Sequence, residues 1–169
     1  YARLGTCVTV LARHTLLYSE DPLLGEKLKE CFENEGIKIL DNTQANNVSH
    51  DGSLFSLGTN EGTLTARKLL ISTGRFANTG KLGLESIGVE TEMNGAIKVN
   101  ERMETSIANI YAAGDYSNMH QFVYVAAAAG SRAGINMTGG DAILDLSTMP
   151  VVVFTDPQVA TVGLSEEQA

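Results

Sequence analysis

The chain has 169 residues, of which 43% are hydrophobic, so it is long enough to bury a core. Its net charge of −8 argues against nucleic acid or an anionic membrane as the main partner. No apolar run approaches the roughly 20 residues that cross a bilayer, and two cysteines in an acidic chain fit a reducing compartment rather than a disulfide framework, which predicts a cytoplasmic location.

The first eleven residues have the pattern of a helix end followed by a strand. Residues 1–4 would finish a helix, and Gly5 fits its C-terminal stop. Residues 7–11 are rich in β-branched side chains and predict a buried strand. This order is typical of the second half of a βαβ dinucleotide-binding unit, whose glycine-rich phosphate loop would precede residue 1. We therefore expect the chain to be an internal piece of a longer protein.

The end of this strand carries a cation where many nucleotide-binding units carry an acid. NAD-binding units place a carboxylate there for the ribose 2′-hydroxyl, whereas NADP-binding units supply a cation for the 2′-phosphate. Here Ala12 is followed by Arg13 and His14. An arginine can hold a phosphate in a bidentate way, so Arg13 favours NADPH over NADH. The alternative is that Arg13 is an ordinary solvated charge.

Local signals predict a helix, a strand and a hairpin in the next 45 residues. Asp21 is a candidate N-cap, and Gly36 fits the stop of the same helix. Residues 37–40 predict a strand, and Asp51-Gly52 predicts the turn of a hairpin between residues 47–50 and 54–57. The core face of the helix repeats at helical spacing and comprises Leu24, Leu28, Cys31 and Phe32.

Two later stretches predict buried strands that end in glycine, residues 69–74 and residues 110–113. The carboxyl ends of such strands are where open α/β sheets bind ligands. Gly114 would let the backbone approach a ligand closely, and the carboxylate of Asp115 could accept hydrogen bonds from a sugar-like polyol. Taken alone, a strand that ends in glycine and aspartate is weak evidence for a ligand site, and a plain sheet edge is the commoner explanation.

The remaining pattern adds short elements and one long helix. The predicted elements are a short helix at 84–87, a strand at 96–99, a helix at 121–137 that ends at Thr138 to Asp141, a strand at 151–154 and a turn at Asp156-Pro157.

The stretch from Thr105 to Asp115, with Gln121 to Tyr124 and the alanine-rich run that follows, resembles the second FAD-binding motif of the pyridine nucleotide-disulfide oxidoreductases. The resemblance implies that Asp115 holds the ribityl chain of FAD. It also implies that Gln121, Phe122 and Val123 lie along the flavin. Residues 69–74 resemble the alanine-threonine-glycine motif of the same family, with serine in place of the alanine, which implies that Thr73 and Gly74 pass close to the cofactors.

The similarity runs along essentially the whole chain. Residues 136–150 and 153–163 narrow it to the branch of the family that reduces Hg(II). It implies a partial FAD/NAD(P)-binding Rossmann-like α/β fold with two dinucleotide-binding domains and the start of an α+β dimerisation domain. The implied parts are the end of the NAD(P)-binding domain at 1–74, the end of the FAD-binding domain at 75–149 and a truncated dimerisation domain at 150–169. A homodimer is implied for the full-length protein.

The chemistry implied by the resemblance is a relay from NADPH through FAD and a redox disulfide to Hg(II) held by thiolates. The family's close-spaced cysteine pair and its C-terminal thiols would lie outside this segment. Cys7 and Cys31 are 24 positions apart and are expected to be packing residues. The three histidines show no metal-ligand spacing, so no metal site and no catalytic residue are predicted here. The segment alone is expected to be inactive.

Two alternatives remain open from the sequence. One is a dihydrolipoamide dehydrogenase-like enzyme linked to NAD, against which Ala12-Arg13 and the Asp156 to Gln158 stretch both argue. The other is a non-catalytic α/β module that binds a nucleotide for structural or regulatory reasons.

Overall fold

The computed structural model describes residues 1–166 and residue 168, and it divides the chain into two compact units. The first unit comprises Tyr1–Ile71 and Met149–Ala169, and the second comprises Ser72–Thr148. Glu167 and Ala169, at the end of the predicted dimerisation segment, lie outside the described residues. No helix in the part of the chain that the structure describes is long and apolar enough to cross a membrane. The assignment of the units to NAD(P), FAD and dimerisation domains stays a prediction.

The first unit begins with a 3₁₀ turn at Ala2–Leu4 and a βαβ arrangement. Strand β1 (Thr9–Leu11) lies parallel to strand β2 (Lys38–Leu40), and helix α1 (Pro22–Asn34) connects them. As predicted, the carboxylate of Asp21 caps α1, because it accepts a hydrogen bond from the backbone N–H of Leu23 at 2.8 Å. Gly36, at φ +80°, takes the left-handed conformation that ends the chain's helical path.

A three-stranded antiparallel meander follows. Its strands are β3 (Ala45–His50), β4 (Phe55–Thr59) and β5 (Gly62–Ala66). The predicted hairpin turn is confirmed, since Oδ1 of Asp51 accepts hydrogen bonds from the backbone N–H groups of Ser53 and Leu54, each at 2.8 Å.

The end of the first unit is a short antiparallel hairpin of β6 (Val151–Val153) and β7 (Val159–Thr161). The predicted strand and turn are confirmed, while β7 was not foreseen. The hairpin is linked to residues 1–71, because the guanidinium of Arg3 lies 2.6 Å from the carboxylate of Asp156 and also pairs with Glu35. At its other end, Oγ1 of Thr161 donates to Oε2 of Glu20 at 3.0 Å.

Two predicted buried strands are wrong. Residues 69–74 form no strand, and Leu70 and Ile71 are 74% and 70% exposed. Residues 110–113 form one bridge, between Tyr111 and Glu104, and are half-buried. An apolar run becomes a strand only when a neighbouring strand accepts its hydrogen bonds, and none of the described strands pairs with either run. The strand predicted at 96–99 is likewise reduced to isolated bridges at Ile97.

Helix α2 (Val123–Met137) confirms the predicted helix. It contributes four buried residues to the second unit. Its buried face repeats every three or four residues and comprises Val125, Ala129, Ala133 and Asn136. Met103 is fully buried in the same unit. Asn136 is the polar member of this face: its Nδ2 donates to the carbonyls of Arg102 and Ala142, at 2.8 and 2.9 Å, and its Oδ1 accepts from the N–H of Ala142 at 2.7 Å.

An ion pair between Arg102 and Asp141 lies next to the hydrogen bonds of Asn136, and its contribution to stability depends on pH. Nε of Arg102 lies 2.5 Å from Oδ1 of Asp141, and this hydrogen bond lowers the pKa of Asp141. The stabilisation is therefore complete above the unfolded pKa, roughly 3.9, and is lost as the pH falls through the lower folded pKa.

We expect Asp141→Asn to unfold at a lower temperature than wild type at about pH 6, and the difference to shrink as the pH is lowered through roughly 3.9 towards about 2, because the wild-type carboxyl takes up its proton. Thermal unfolding of both proteins between about pH 6 and about pH 2 measures this difference in unfolding temperature. The difference will be small because the carboxylate of Asp141 is exposed to solvent, which weakens the ion pair. A destabilisation of Asp141→Asn that is equal at both ends of the range would contradict the assignment.

Candidate cofactor site

The candidate site of the second unit is built where the chain turns after Ala113. Gly114, at φ +84°, makes the turn possible, and its carbonyl accepts hydrogen bonds from the N–H and the hydroxyl of Ser117, at 2.9 and 2.8 Å. The turn leaves the side chain of Asp115 52% exposed. Across from it, Nη1 of Arg75 lies 3.6 Å from Oδ2 of Asp115. A carboxylate and a guanidinium from segments 40 residues apart therefore meet at the surface of one unit.

Two adjoining cavities surround this pair. The smaller has a volume of about 370 Å³ and is lined by Asp115, Arg75 and Gln121 together with Phe76, Asn78 and Tyr116. The larger has a volume of about 640 Å³, and it shares Arg75 and Gln121 and adds Phe122, His120 and Glu92. A ligand with hydroxyl groups and a planar ring would find acceptors, donors and an aromatic surface here.

The start of α2 adds a polar feature beside the cavities. The N-cap residue, Phe122, has extended backbone angles and offers no side-chain cap, and no acidic residue lies in the first turn. The positive end of the helix dipole is therefore not neutralised by a side chain, which favours an electron-rich ligand atom nearby. The ring of Phe122 stacks on that of Tyr124, with centroids 5.2 Å apart and planes 8° from parallel.

The structure brings together some of the residues that the sequence singled out. Asp115, Gln121 and Phe122 line the cavities, and Gly114 makes the turn that places Asp115. Val123, at the start of α2, is 86% exposed and lines neither cavity.

Thr73, Gly74 and Arg13 are not part of these cavities. Thr73 and Gly74 are exposed and precede Arg75 in the chain, with Gly74 at φ +115°. Arg13 belongs to the first unit, is exposed, and has no hydrogen bond or ion pair to any residue that the structure describes. The cofactor roles of all these residues remain predictions.

Arg75 is the site residue that the sequence did not single out. The position of Arg75 could have indicated it, because this cation directly follows Gly74, at the end of a segment predicted to face a ligand. What the sequence lacks is the distance between residues 75 and 115, since that contact is long-range.

The edge of the first unit that carries Arg13 is held by backbone hydrogen bonds. The N–H of Ala12 donates to the carbonyl of Leu40 at 2.9 Å, and the N–H of Asn42 donates to that of His14 at 3.3 Å. The rings of His14 and Tyr18 pack with centroids 4.6 Å apart. The residues after β1 and β2 therefore form a common edge at the carboxyl ends of two parallel strands, the position where such sheets bind nucleotides.

The cysteines take no part in either region. Cys31 is half-buried on α1, whereas Cys7 is exposed, so the prediction that Cys7 is a buried packing residue is wrong. It lies before β1, outside the paired backbone that would cover it. Within residues 1–166 and 168, no group of three or more histidine, cysteine, aspartate or glutamate side chains could hold a metal ion.

Residues 1–130 match the pyridine nucleotide-disulphide oxidoreductase family, and the chain belongs to that family. Membership implies the use of a flavin and a pyridine nucleotide. Among curated proteins, the chain is 70% identical to the mercuric reductase of Shewanella putrefaciens and 55% identical to that of Acidithiobacillus ferrooxidans. Both matches cover the whole chain but 30% and 31% of the relatives, so the chain spans about a third of their length.

Solved structures agree on the fold. The chain superimposes on LpdA from Mycobacterium tuberculosis with a TM-score of 0.89 and 31% identity, over 99% of this chain and 37% of that one. The Cu(II) complex of the HOCl-induced flavoprotein disulfide reductase RclA from Escherichia coli gives a TM-score of 0.88 at 29% identity, over 99% of this chain and 39% of that one. The predicted Rossmann-like α/β fold class is confirmed.

Proposed function

We propose that this chain is part of an NADPH-dependent flavoprotein that passes electrons through FAD and a redox disulfide to Hg(II), giving Hg(0). The observation that carries the proposal is the exposed Asp115 carboxylate, set beside Arg75 and Gln121 in a cavity, within a chain that is 70% identical to a mercuric reductase. The segment supplies cofactor-binding surfaces. The redox cysteines and the mercury-binding thiols are proposed to lie in other parts of the full-length protein.

The residues present fit FAD. Asp115 offers two acceptor oxygens to the hydroxyls of a ribityl chain. Gly114 has no Cβ, so a ligand can approach the backbone closely at that position. Gln121 and Phe122 provide an amide and an aromatic ring beside the same cavities, and the uncapped start of α2 favours an electron-rich carbonyl of the ring system. When bound, FAD supplies two-electron redox chemistry that no side chain of this chain provides.

Arg75 has a positioning role in this proposal. Its guanidinium, 3.6 Å from the Asp115 carboxylate, restrains the carboxylate at the cavity wall and balances its charge. Because Arg75 itself is largely exposed, the pair adds little stability and acts mainly by orientation.

The nucleotide is proposed to be NADPH, bound at the edge that carries Arg13. The exposed guanidinium there has no competing partner among the described residues and is available for a 2′-phosphate. Hg(II) is proposed to arrive as a thiolate complex, since soft sulfur ligands prefer soft metal ions. The full-length protein is proposed to be a homodimer located in the cytoplasm.

The test uses the full-length protein that carries this chain, kept free of oxygen. We expect NADPH oxidation on addition of Hg(II) with excess small thiol, with one Hg(0) released as vapour for each NADPH consumed, and much weaker activity with NADH. Oxidation of NADH by lipoamide, or reduction of NAD by dihydrolipoamide, with no turnover on mercury, would place the protein with the lipoamide enzymes. Nucleotide binding without any turnover would indicate a non-catalytic module.

A further inference from the structure

The first turn of α1 carries a glycine directly against the loop that follows β1. A Cβ placed on Gly25 would lie 2.2 Å from the carbonyl oxygen of Leu16 and 3.2 Å from its carbonyl carbon. Both are backbone atoms, so rotation of a side chain cannot relieve the clash. Gly25 is buried, although glycine is unfavourable in the interior of a helix. Its presence allows the loop backbone to rest on the helix.

The loop in question comprises residues 12–20 and is held at its start, its middle and its end. At its start, the N–H of Thr43 donates to the carbonyl of Ala12 at 2.9 Å, and the N–H of Asn42 donates to the carbonyl of His14 at 3.3 Å. In its middle, Leu16 lies on Gly25, and the next residue, Leu17, has a left-handed φ of +51°. At its end, Glu20 accepts the hydrogen bond of Thr161 at 3.0 Å. The central contact is the one made without a hydrogen bond, so its geometry depends entirely on the absence of a Cβ.

We propose that Gly25 is a positioning residue for nucleotide selectivity: by letting the Leu16 carbonyl rest on α1, it fixes the loop that presents Arg13 to a 2′-phosphate. The inference rests on the proposed NADPH site. Any side chain at position 25 pushes the middle of the loop away from α1. Only residues 14 and 15 separate Leu16 from Arg13, so the displacement reaches the guanidinium by straining the long hydrogen bond, 3.3 Å, at the His14 carbonyl. A bidentate contact with phosphate is sensitive to such a shift because both N–H groups must align.

The experiment compares Gly25→Ala with wild type in the full-length protein, measuring KM and kcat separately for NADPH and NADH. We expect the KM for NADPH to rise roughly tenfold, the factor that follows from losing about one charge-assisted hydrogen bond. The KM for NADH and the kcat at saturating NADPH should change little. The matched control is Gly134→Ala, because Gly134 is exposed on α2 and a Cβ there meets nothing within 4 Å.

A double-mutant cycle separates positioning from plain packing. If Gly25 acts through Arg13, Gly25→Ala should have no further effect on the NADPH to NADH ratio in an Arg13→Ala background. A lowered unfolding temperature with an unchanged ratio, or an effect that persists without Arg13, would overturn the inference. The proposed NADPH site would itself fail if Arg13→Ala left the wild-type ratio unchanged.

A second variant covers the case in which Gly25→Ala does not fold. Leu17→Gly removes the side chain that makes the left-handed conformation costly and loosens the same loop without a clash. We expect a severalfold rise in the KM for NADPH in the same direction. An unchanged KM in Leu17→Gly would also overturn the inference.

Discussion

Asp115→Asn is expected to lose most of its flavin during purification of the full-length protein. The substitution keeps the shape of the side chain but removes its charge and leaves Arg75 without a counter-ion. Hydrogen bonds to charged groups contribute about 1.5–3 kcal/mol, so flavin affinity should fall roughly ten- to a hundredfold. Flavin content, read from the visible absorbance per polypeptide, and titration of the flavin-free protein with FAD measure the loss.

The control for this prediction is Asp145→Asn, which neutralises another aspartate of the second unit that lines neither cavity. Asp145 accepts a hydrogen bond from the N–H of Ser147, and an asparagine oxygen can accept it too, so this replacement reports the general cost of removing one carboxylate charge. Wild-type flavin content in Asp145→Asn and a large loss in Asp115→Asn would assign the effect to the cavity. Equal flavin affinity in Asp115→Asn and wild type would reject the role of Asp115.

Elements with local causes could be predicted from the sequence. Helix α1 begins at Asp21 because a carboxylate and the following proline satisfy the first turn, and it gives way at Gly36 because glycine accepts the left-handed conformation. The same logic located the end of α2 before Gly139 and the hairpin turn at Asp51. Each of these features depends on atoms within about four residues, so the sequence contains the whole explanation.

Strands depend on partners that the sequence does not locate. Residues 69–71 and 110–113 are apolar, as residues 151–153 are, yet only the last group forms a strand, because residues 159–161 lie opposite it. The exposure of Leu70 and Ile71 follows from the same cause. Apolar content alone could not distinguish these cases.

The candidate site was predictable in part. Asp115, Gln121 and Phe122 follow one another closely in the chain, so a motif identifies them together. Arg75 reaches Asp115 from 40 residues away, and an arginine after a glycine carries no information about that contact. The solvent exposure of Thr73 and Val123 also depends on tertiary structure, because a motif specifies the order of residues and not which other residues cover them.

Asn136→Asp is expected to destabilise the second unit strongly although it changes a single atom group. The amide of Asn136 is 7% exposed and makes three hydrogen bonds with backbone groups of Arg102 and Ala142. A carboxylate keeps the shape and the acceptor but has no donor, so two carbonyls would face an oxygen. Each buried group left unpaired costs about 1–3 kcal/mol, which gives a total loss of about 3 kcal/mol.

The readout for Asn136→Asp is the temperature at which the full-length protein releases its flavin, followed by flavin fluorescence. This signal reports on the second unit, where the proposed flavin site lies, and avoids assuming that a multidomain protein unfolds in one step. We expect the temperature of flavin release to fall by several degrees.

Asn46→Ala is the matched control for Asn136→Asp, because Asn46 is exposed on β3 and such surface changes usually stay within about 0.5 kcal/mol. Asn136 lies at the end of α2 opposite Phe122, so its bonds fix the far end of the helix whose first turn borders the cavities. Flavin release at the wild-type temperature in Asn136→Asp would mean that α2 is held by its apolar face alone, through Val125, Ala129 and Ala133.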